Sequence, residues 1–315
     1  MPFPQLVNTG AFTLANQNII NNNFAALAGV YTPGNIWFVN ANGGSDQLDG
    51  NSWANALHTM RECFSRLSPN DTILFIGQVK EQLVAPLGVS NVKIIGAATR
   101  TRYGNESSFG HPLLDAASAW RPPASPTAAT PLLELRQQGW LVSNILWDAP
   151  ADAAAIQLHR AENATYPDPS SFVADNCQFS DGEGGIYDVG GCYNILIQNS
   201  RFRALTTAIK TVSTGIAVPL RNTIQGNTFI GNTNDINGSY SQAVIQNNLF
   251  LSDSTVTINT IAVSAQGDHN MVINNYVPNV AADIDPAHGY TGSATDVWRT
   301  FATDQADPVI TSPPV

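Results

Sequence analysis

Charge is what this chain has least of. Only 12% of its 315 residues are Asp, Glu, Lys or Arg, and 24 acidic residues outnumber 14 basic ones, for a net charge of −10. A phosphate backbone is bound through Lys and Arg, so nucleic acid is excluded as an expected partner. Cysteine is scarce as well. Cys63, Cys177 and Cys192 form no CxxC pair and no disulfide framework, and they read as small buried hydrophobes. No apolar run is long enough to cross a bilayer, so membrane insertion is not expected. The opening "MPFPQLVNTGAF" lacks a basic region followed by an apolar run. No signal peptide is therefore expected, and a soluble protein made in a reducing cytosol is. "GEGG" at 182–185 precedes no helix, so no phosphate loop is read there. "GSDQLDG" at 44–50 lacks the alternating ligands of a calcium loop and reads as a structural turn. His269 and His288 read as solvated turn residues. Cofactor and metal are both expected to be none.

What the chain has instead is Asn, Thr, Ser, Gln and Gly around a 43% hydrophobic content, a composition that suits stacked strands and tight turns. From residue 140 onward a loose repeat runs through "SNILW", "DNCQF", "QNSRF", "QGNTF", "QNNLF" and "INNYV". Each carries Asn, once Gly, at its second position and a bulky apolar residue at its fifth. Those fifth residues are Trp147, Phe179, Phe202, Phe229, Phe250 and Val277, separated by 32, 23, 27, 21 and 27 residues. Irregular strand-rich repeats of this length predict a solenoid with one coil per repeat. Asn tolerates the left-handed backbone of a sharp corner, stacked amides hydrogen-bond along a column, and the bulky residues pile up inside.

Upstream, Trp53, Leu57, Met60, Phe64 and Leu67 are spaced as one face of a helix, stopped by Ser68, Pro69 and Asn70. A solenoid has raw ends with unpaired backbone groups, and an amphipathic helix before the first coil is predicted to cover one of them. "DTILFIG", "QVKEQLVAP" and "NVKIIG" follow as β-rich runs. Before residue 35, Ile20, Phe24 and Leu27 fall on one face of a second, short helix. It is marginal alone, and reads either as a flanking helix or as an arm ordered against a partner. Four zones result: an arm over 1–34, for attachment or oligomerisation; an opening with the capping helix over 35–97; coils with loop insertions over 98–285; and an extended tail over 286–315.

The segment "IWFVNANGGSDQLDGNSWANALHTM…LSPNDTILFIGQVKE…VSNVKIIGA" resembles the opening of right-handed parallel β-helix proteins of the pectate-lyase-like superfamily. Asp49, Gly50, Ser52 and Trp53 match the family's "DG-x-SW". Asn70 replaces the Gly before Asp71, and Gly77 and Glu81 match "G-x-Y-x-E" with Val79 in the Tyr place. The likeness covers residues 36 to about 97 closely and the coils to about 285 in style. It implies an all-β fold, a right-handed parallel β-helix solenoid with an N-terminal capping helix and a short helical arm. Within that superfamily the chain is similar to bacteriophage virion proteins of the tail-spike, tail-fibre or capsid-decoration type. That likeness implies a homotrimer held to other virion proteins through its leader, residing on the particle and meeting host surface polysaccharide. The fold hosts enzymes and inert scaffolds alike, so a polysaccharide lyase or glycoside hydrolase stands as the alternative.

For such chemistry the candidate residues are Asp148, Asp181, Glu183 and Asp188, with Arg203 (or Arg201) as a base. Asp148 and Arg203 each directly follow a repeat aromatic, so they leave the same end of the repeated strand two coils apart. Asp181 points to the other face unless the turn rotates it. Rungs about 4.8 Å apart allow the carboxylate separations of either glycosidase class. Asp beside Gly is also ordinary turn chemistry. For sugar binding the candidates are Tyr103, Trp120 and Tyr166, in insertions that also carry Phe109 and Arg121; the competing reading folds these aromatics back onto the solenoid.

Overall fold

The computed structural model describes residues 34–98, 118–159, 169–212, 219–238, 240–251, 259–263, 269–277, 296–302 and 309–310. The arm residues Ile20, Phe24 and Leu27, and Tyr103, Phe109, Tyr166 and His288, lie outside them.

The chain is a parallel β-helix. Its described strands join one sheet, and every strand pair is parallel except the last, Val297–Ala302 with Val309–Ile310. Each complete coil lays down three short strands on three faces. In the coil around Phe202 these are Leu196–Gln198 and the two arms of the bent strand Arg201–Val212, which pair along their lengths with Gln178–Val189 of the coil before.

The corner between the first two strands is made by the second residue of the repeat. Asn144, Asn176, Asn199, Gly226, Asn247 and Asn274 all have φ between 51° and 64°, the left-handed region that Asn and Gly enter at least cost. The fifth residues stack as expected. Trp147, Phe179, Phe202, Phe229 and Phe250 lie with ring centroids 4.8 to 6.1 Å apart and planes within 11°. Trp120 heads the same column, 5.0 Å from Trp147 and fully buried. This corrects its assignment to an exposed sugar-binding loop. By Ser118 the chain has already returned to the rung, because Ala119–Trp120 pairs with Leu146–Trp147.

The buried amide ladder belongs to the third residue of the repeat, not the second. Asn248 Oδ1 accepts from the backbone N–H and Nδ2 of Asn227, and Asn248 donates in the same way to Asn275 Oδ1, at 3.0–3.1 Å. Asn248 Nδ2 also donates to Ile224 O. These side chains are at most 2% exposed. Replacing Asn248 with Ala strands buried donors and acceptors on both neighbouring coils, and is expected to cost about 2–3 kcal/mol by urea denaturation. Asn247→Gly, one residue away on the exposed corner, should change stability by no more than about 0.5 kcal/mol. Equal losses in both variants would refute this division of labour.

The predicted helix is present but shorter. It spans Met60–Arg66, and neither Trp53 nor Leu57 belongs to it. Leu57 instead continues the first coil: its N–H donates to Phe38 O, and its carbonyl accepts from Asn40 N. Trp53 packs edge-on against Phe38 at 5.0 Å. Asp46 accepts from the N–H groups of His58 and Thr59 and from Thr59 Oγ1, fixing Thr59 as the N-cap. Glu81 takes the next two amides, Met60 and Arg61. The helix buries Met60, Cys63 and Phe64, and Phe64 reaches Trp120 and Trp140 at 6.5 and 5.8 Å. It therefore covers the first coil. Asp71 ties the same end together by accepting from Asn35 N, Ser68 N and Trp37 Nε1. The run "QVKEQLVAP" holds two separate rungs, Gln78–Val79 and Leu83–Val84.

Candidate functional site

The residues that directly follow the aromatic column form one outward row. Register places Asp148 beside Ser180 and Ser180 beside Arg203, so Asp148 and Arg203 do leave the same edge two coils apart. At about 4.8 Å per rung, their backbones are roughly 10 Å apart. One coil earlier, Arg121 follows Trp120. Its Nε donates to Asp148 Oδ2 at 3.1 Å, and its Nη1 donates to Gln78 Oε1 at 3.2 Å. The guanidinium thus bridges three successive coils. Burial raises the Asp148 pKa; Arg121 opposes that shift, and the charge of Asp181 adds to it. Asp181 sits at the next corner with φ 53°, exposed. The left-handed corner turns it to the side on which its charge acts on Asp148.

Glu183 and Asp188 are not part of this pair. "SDGEGGIYDVGG" is mostly strand, Gln178–Val189, bent through Asp181 and Gly182. Gly185 is needed there because a Cβ would meet the Phe202 ring at 2.9 Å. Glu183 Oε1 accepts from Tyr187 Oη at 3.3 Å on the next face. Asp188 is 2% exposed, on an inward position between Leu158 and Thr211. Both of its oxygens accept from Cys192 N. The four acids therefore divide into one pair, one surface residue and one core residue, which corrects their reading as a single loop cluster.

Gln78 leads from this row into an open cleft of about 530 Å³, lined by Asn42, His58, Thr59, Gln78, Lys80 and Glu81. Its floor is the first coil and its wall the loop before the helix. Burial raises the Glu81 pKa, against the two backbone amides that it accepts. Ala41 and Val79 complete a lining that mixes hydrogen-bonding and apolar surface, and the volume is that of an ordinary small-ligand site. Of these residues the sequence reading named only Glu81, as part of a motif. Asn42, His58, Gln78 and Lys80 sit on short rungs and loops with no repeat to mark them. Among the described residues, no group of three or more His, Cys, Asp or Glu is placed to hold a metal ion. No helix among them is long and apolar enough to cross a membrane.

No family model matches the chain, and no curated protein matches it. Solved structures do. The tailspike protein of E. coli bacteriophage HK620 in complex with pentasaccharide is similar at 12% identity and a TM-score of 0.47, over 75% of this chain and 43% of its own. The GH136 lacto-N-biosidase from Eubacterium ramulus is similar at 11% identity and a TM-score of 0.46, over 77% of this chain and 56% of its own. The chain spans about half the length of these structures or less. Identities this low say nothing of a shared reaction.

Proposed function

We propose that the protein is a glycan-binding β-helix of a bacteriophage virion surface, a tail spike, tail fibre or capsid decoration acting as a homotrimer. What carries the glycan reading is one observation: Gln78 lines the cleft beside the helix and also accepts from Arg121, which holds Asp148 in the outward row of the coils. A polyol is held by planar amides, guanidinium and carboxylate groups set on rigid rungs. The virion assignment rests on the resemblance of the chain's Asn-rich leader, modest β-helix and tail "GSATDVWRTFATDQADPVITSPPV" to phage virion proteins, with residues 1–34 as the proposed attachment arm to other virion proteins.

Isothermal titration of the protein with surface polysaccharides from candidate bacterial hosts tests the reading. Binding is expected, and Arg121→Ala should weaken it at least tenfold, with three copies per particle by light scattering. Failure to bind any of them, or unchanged binding by the variant, overturns the site.

A second reading, a glycoside hydrolase, is favoured by the Asp148–Asp181 pair alone. Burial raises the pKa of Asp148 while its neighbour Asp181 is exposed, a difference in surroundings of the kind an acid and a base require. New reducing ends released from the bound glycan, and abolished by Asp148→Asn, would establish turnover. Their absence leaves the binding scaffold.

A further inference from the structure

The first strand of each coil presents a surface that neither the cleft nor the charged row uses. In Leu141–Ser143, Val173–Asp175, Leu196–Gln198, Thr223–Gln225 and Val244–Gln246 only the middle residue is buried, and the two beside it face outward. Parallel register stacks the first residues into one line, Leu141, Val173, Leu196, Thr223 and Val244, which Met271 and Val297 continue. Thr223 is its one polar member. Met271 and Val297 are 42% and 55% exposed. The third residues form a second line, in which Gln246 Nε2 donates to Gln225 Oε1 and Gln225 Nε2 to Gln198 Oε1, at 2.9–3.0 Å.

Charge is nearly absent from these two lines. Between Leu141 and Met271 their one ionisable residue is Asp175, to which Asn199 Nδ2 donates at 2.9 Å. The other outward surfaces differ: Arg121, Asp148 and Arg203 follow the ring column, and Glu134, His159 and Lys210 lie along the third strands. Neither line carries an aromatic ring on which a sugar could stack.

We infer that this face is where copies of the chain pack, side by side and parallel, around an axis that runs along the solenoid. The inference rests on the homotrimer reading above and assigns its contact surface. Around such an axis each rung meets the same rung of its neighbours, so like faces like. Charged rows then repel their own copies, the more so on a chain of net charge −10. Aliphatic side chains do not, and an amide is its own complement because it both donates and accepts. An apolar line rimmed by amides has the anatomy of an interface core and its edge. Seven rungs span roughly 30 Å, and a strand with its two corners about 15 Å. Three such faces would cover on the order of 1,400 Å², above the roughly 1,000 Å² that a specific interface needs.

Sedimentation velocity and light scattering on the full chain test this. Three copies per particle are expected. Val244→Glu would set three carboxylates at one height, and should weaken association at least tenfold and release monomers with an unchanged far-ultraviolet circular dichroism spectrum. Met271→Glu, at a side chain already 42% exposed, decides the matter should the Val244 variant fail to fold. Asn237→Glu, beside Lys210 on the third strands, should leave the assembly intact. A trimer that survives both Val244→Glu and Met271→Glu overturns this face and leaves the homotrimer reading standing. Equal dissociation by Asn237→Glu overturns the face as well. A native chain that is monomeric at every concentration overturns both the face and the homotrimer.

Discussion

Phe202→Ala is expected to lower the unfolding free energy by about 3–5 kcal/mol, the usual cost of deleting a fully buried aromatic. Phe202 is 0% exposed and lies in the middle of the ring column, 4.8 Å from Phe179 and 5.1 Å from Phe229, stacked nearly parallel to both. Its edge also packs where Gly185 has no side chain to give. The surrounding strands are held in register by hydrogen bonds on both sides, so the cavity has little freedom to collapse. Phe202→Leu keeps most of the volume and should lose less than half as much. Chemical denaturation followed by far-ultraviolet circular dichroism measures both. A loss below about 1 kcal/mol for the Ala variant would mean that the column is not the mechanical core of the coil.

The second large effect belongs to Asp235. Its side chain is inside the solenoid, 3% exposed, and its partner is Asn232, whose Nδ2 donates to Oδ1 at 2.8 Å. Burial pushes its pKa up to about 7. An unfolded Asp titrates near 3.9, so between roughly pH 4 and pH 7 the folded state holds a proton that the unfolded state has released. Stability from this group is therefore greatest at or below about pH 4, falls as pH rises, and levels off above about pH 7. Three pKa units correspond to roughly 4 kcal/mol. Asp235→Asn keeps an acceptor for Asn232 and removes the buried charge. It is expected to gain about 2 kcal/mol over the wild type at pH 8, once the cost of burying its amide is subtracted, and to lose about 2 kcal/mol at pH 4, where that cost stands alone. Thermal melts of the two proteins across this range give the difference directly. A difference that does not change with pH would show that Asp235 is not protonated in the fold.

The coil pattern was legible because each repeat carries two constraints that single residues satisfy: a left-handed corner for Asn or Gly, and an inward place for a large apolar side chain. Trp120 escaped because its coil reaches the column through an insertion, with Ala117 and not Asn three residues before the aromatic. The helix start was misread because Trp53 and Leu57 share its spacing by accident. One is placed by Phe38, the other by a bridge to Val39. The outward row was half legible. Asp148 and Arg203 could be placed from the aromatics they follow, whereas the contact of Gln78 with Arg121 joins residues 43 apart across two-residue rungs that leave no periodic trace. Asp188 looked like turn chemistry because Gly184, Gly185, Gly190 and Gly191 surround it. Those glycines serve close packing and the corner of a strand.

The pair of indoles heading the ring column has an optical consequence. Trp120 and Trp147 lie 5.0 Å apart with planes 15° from parallel, close enough for their excited states to couple. Near-ultraviolet circular dichroism from that pair would therefore track the seating of the capped end of the rod, before and independently of any signal from the phenylalanines further along.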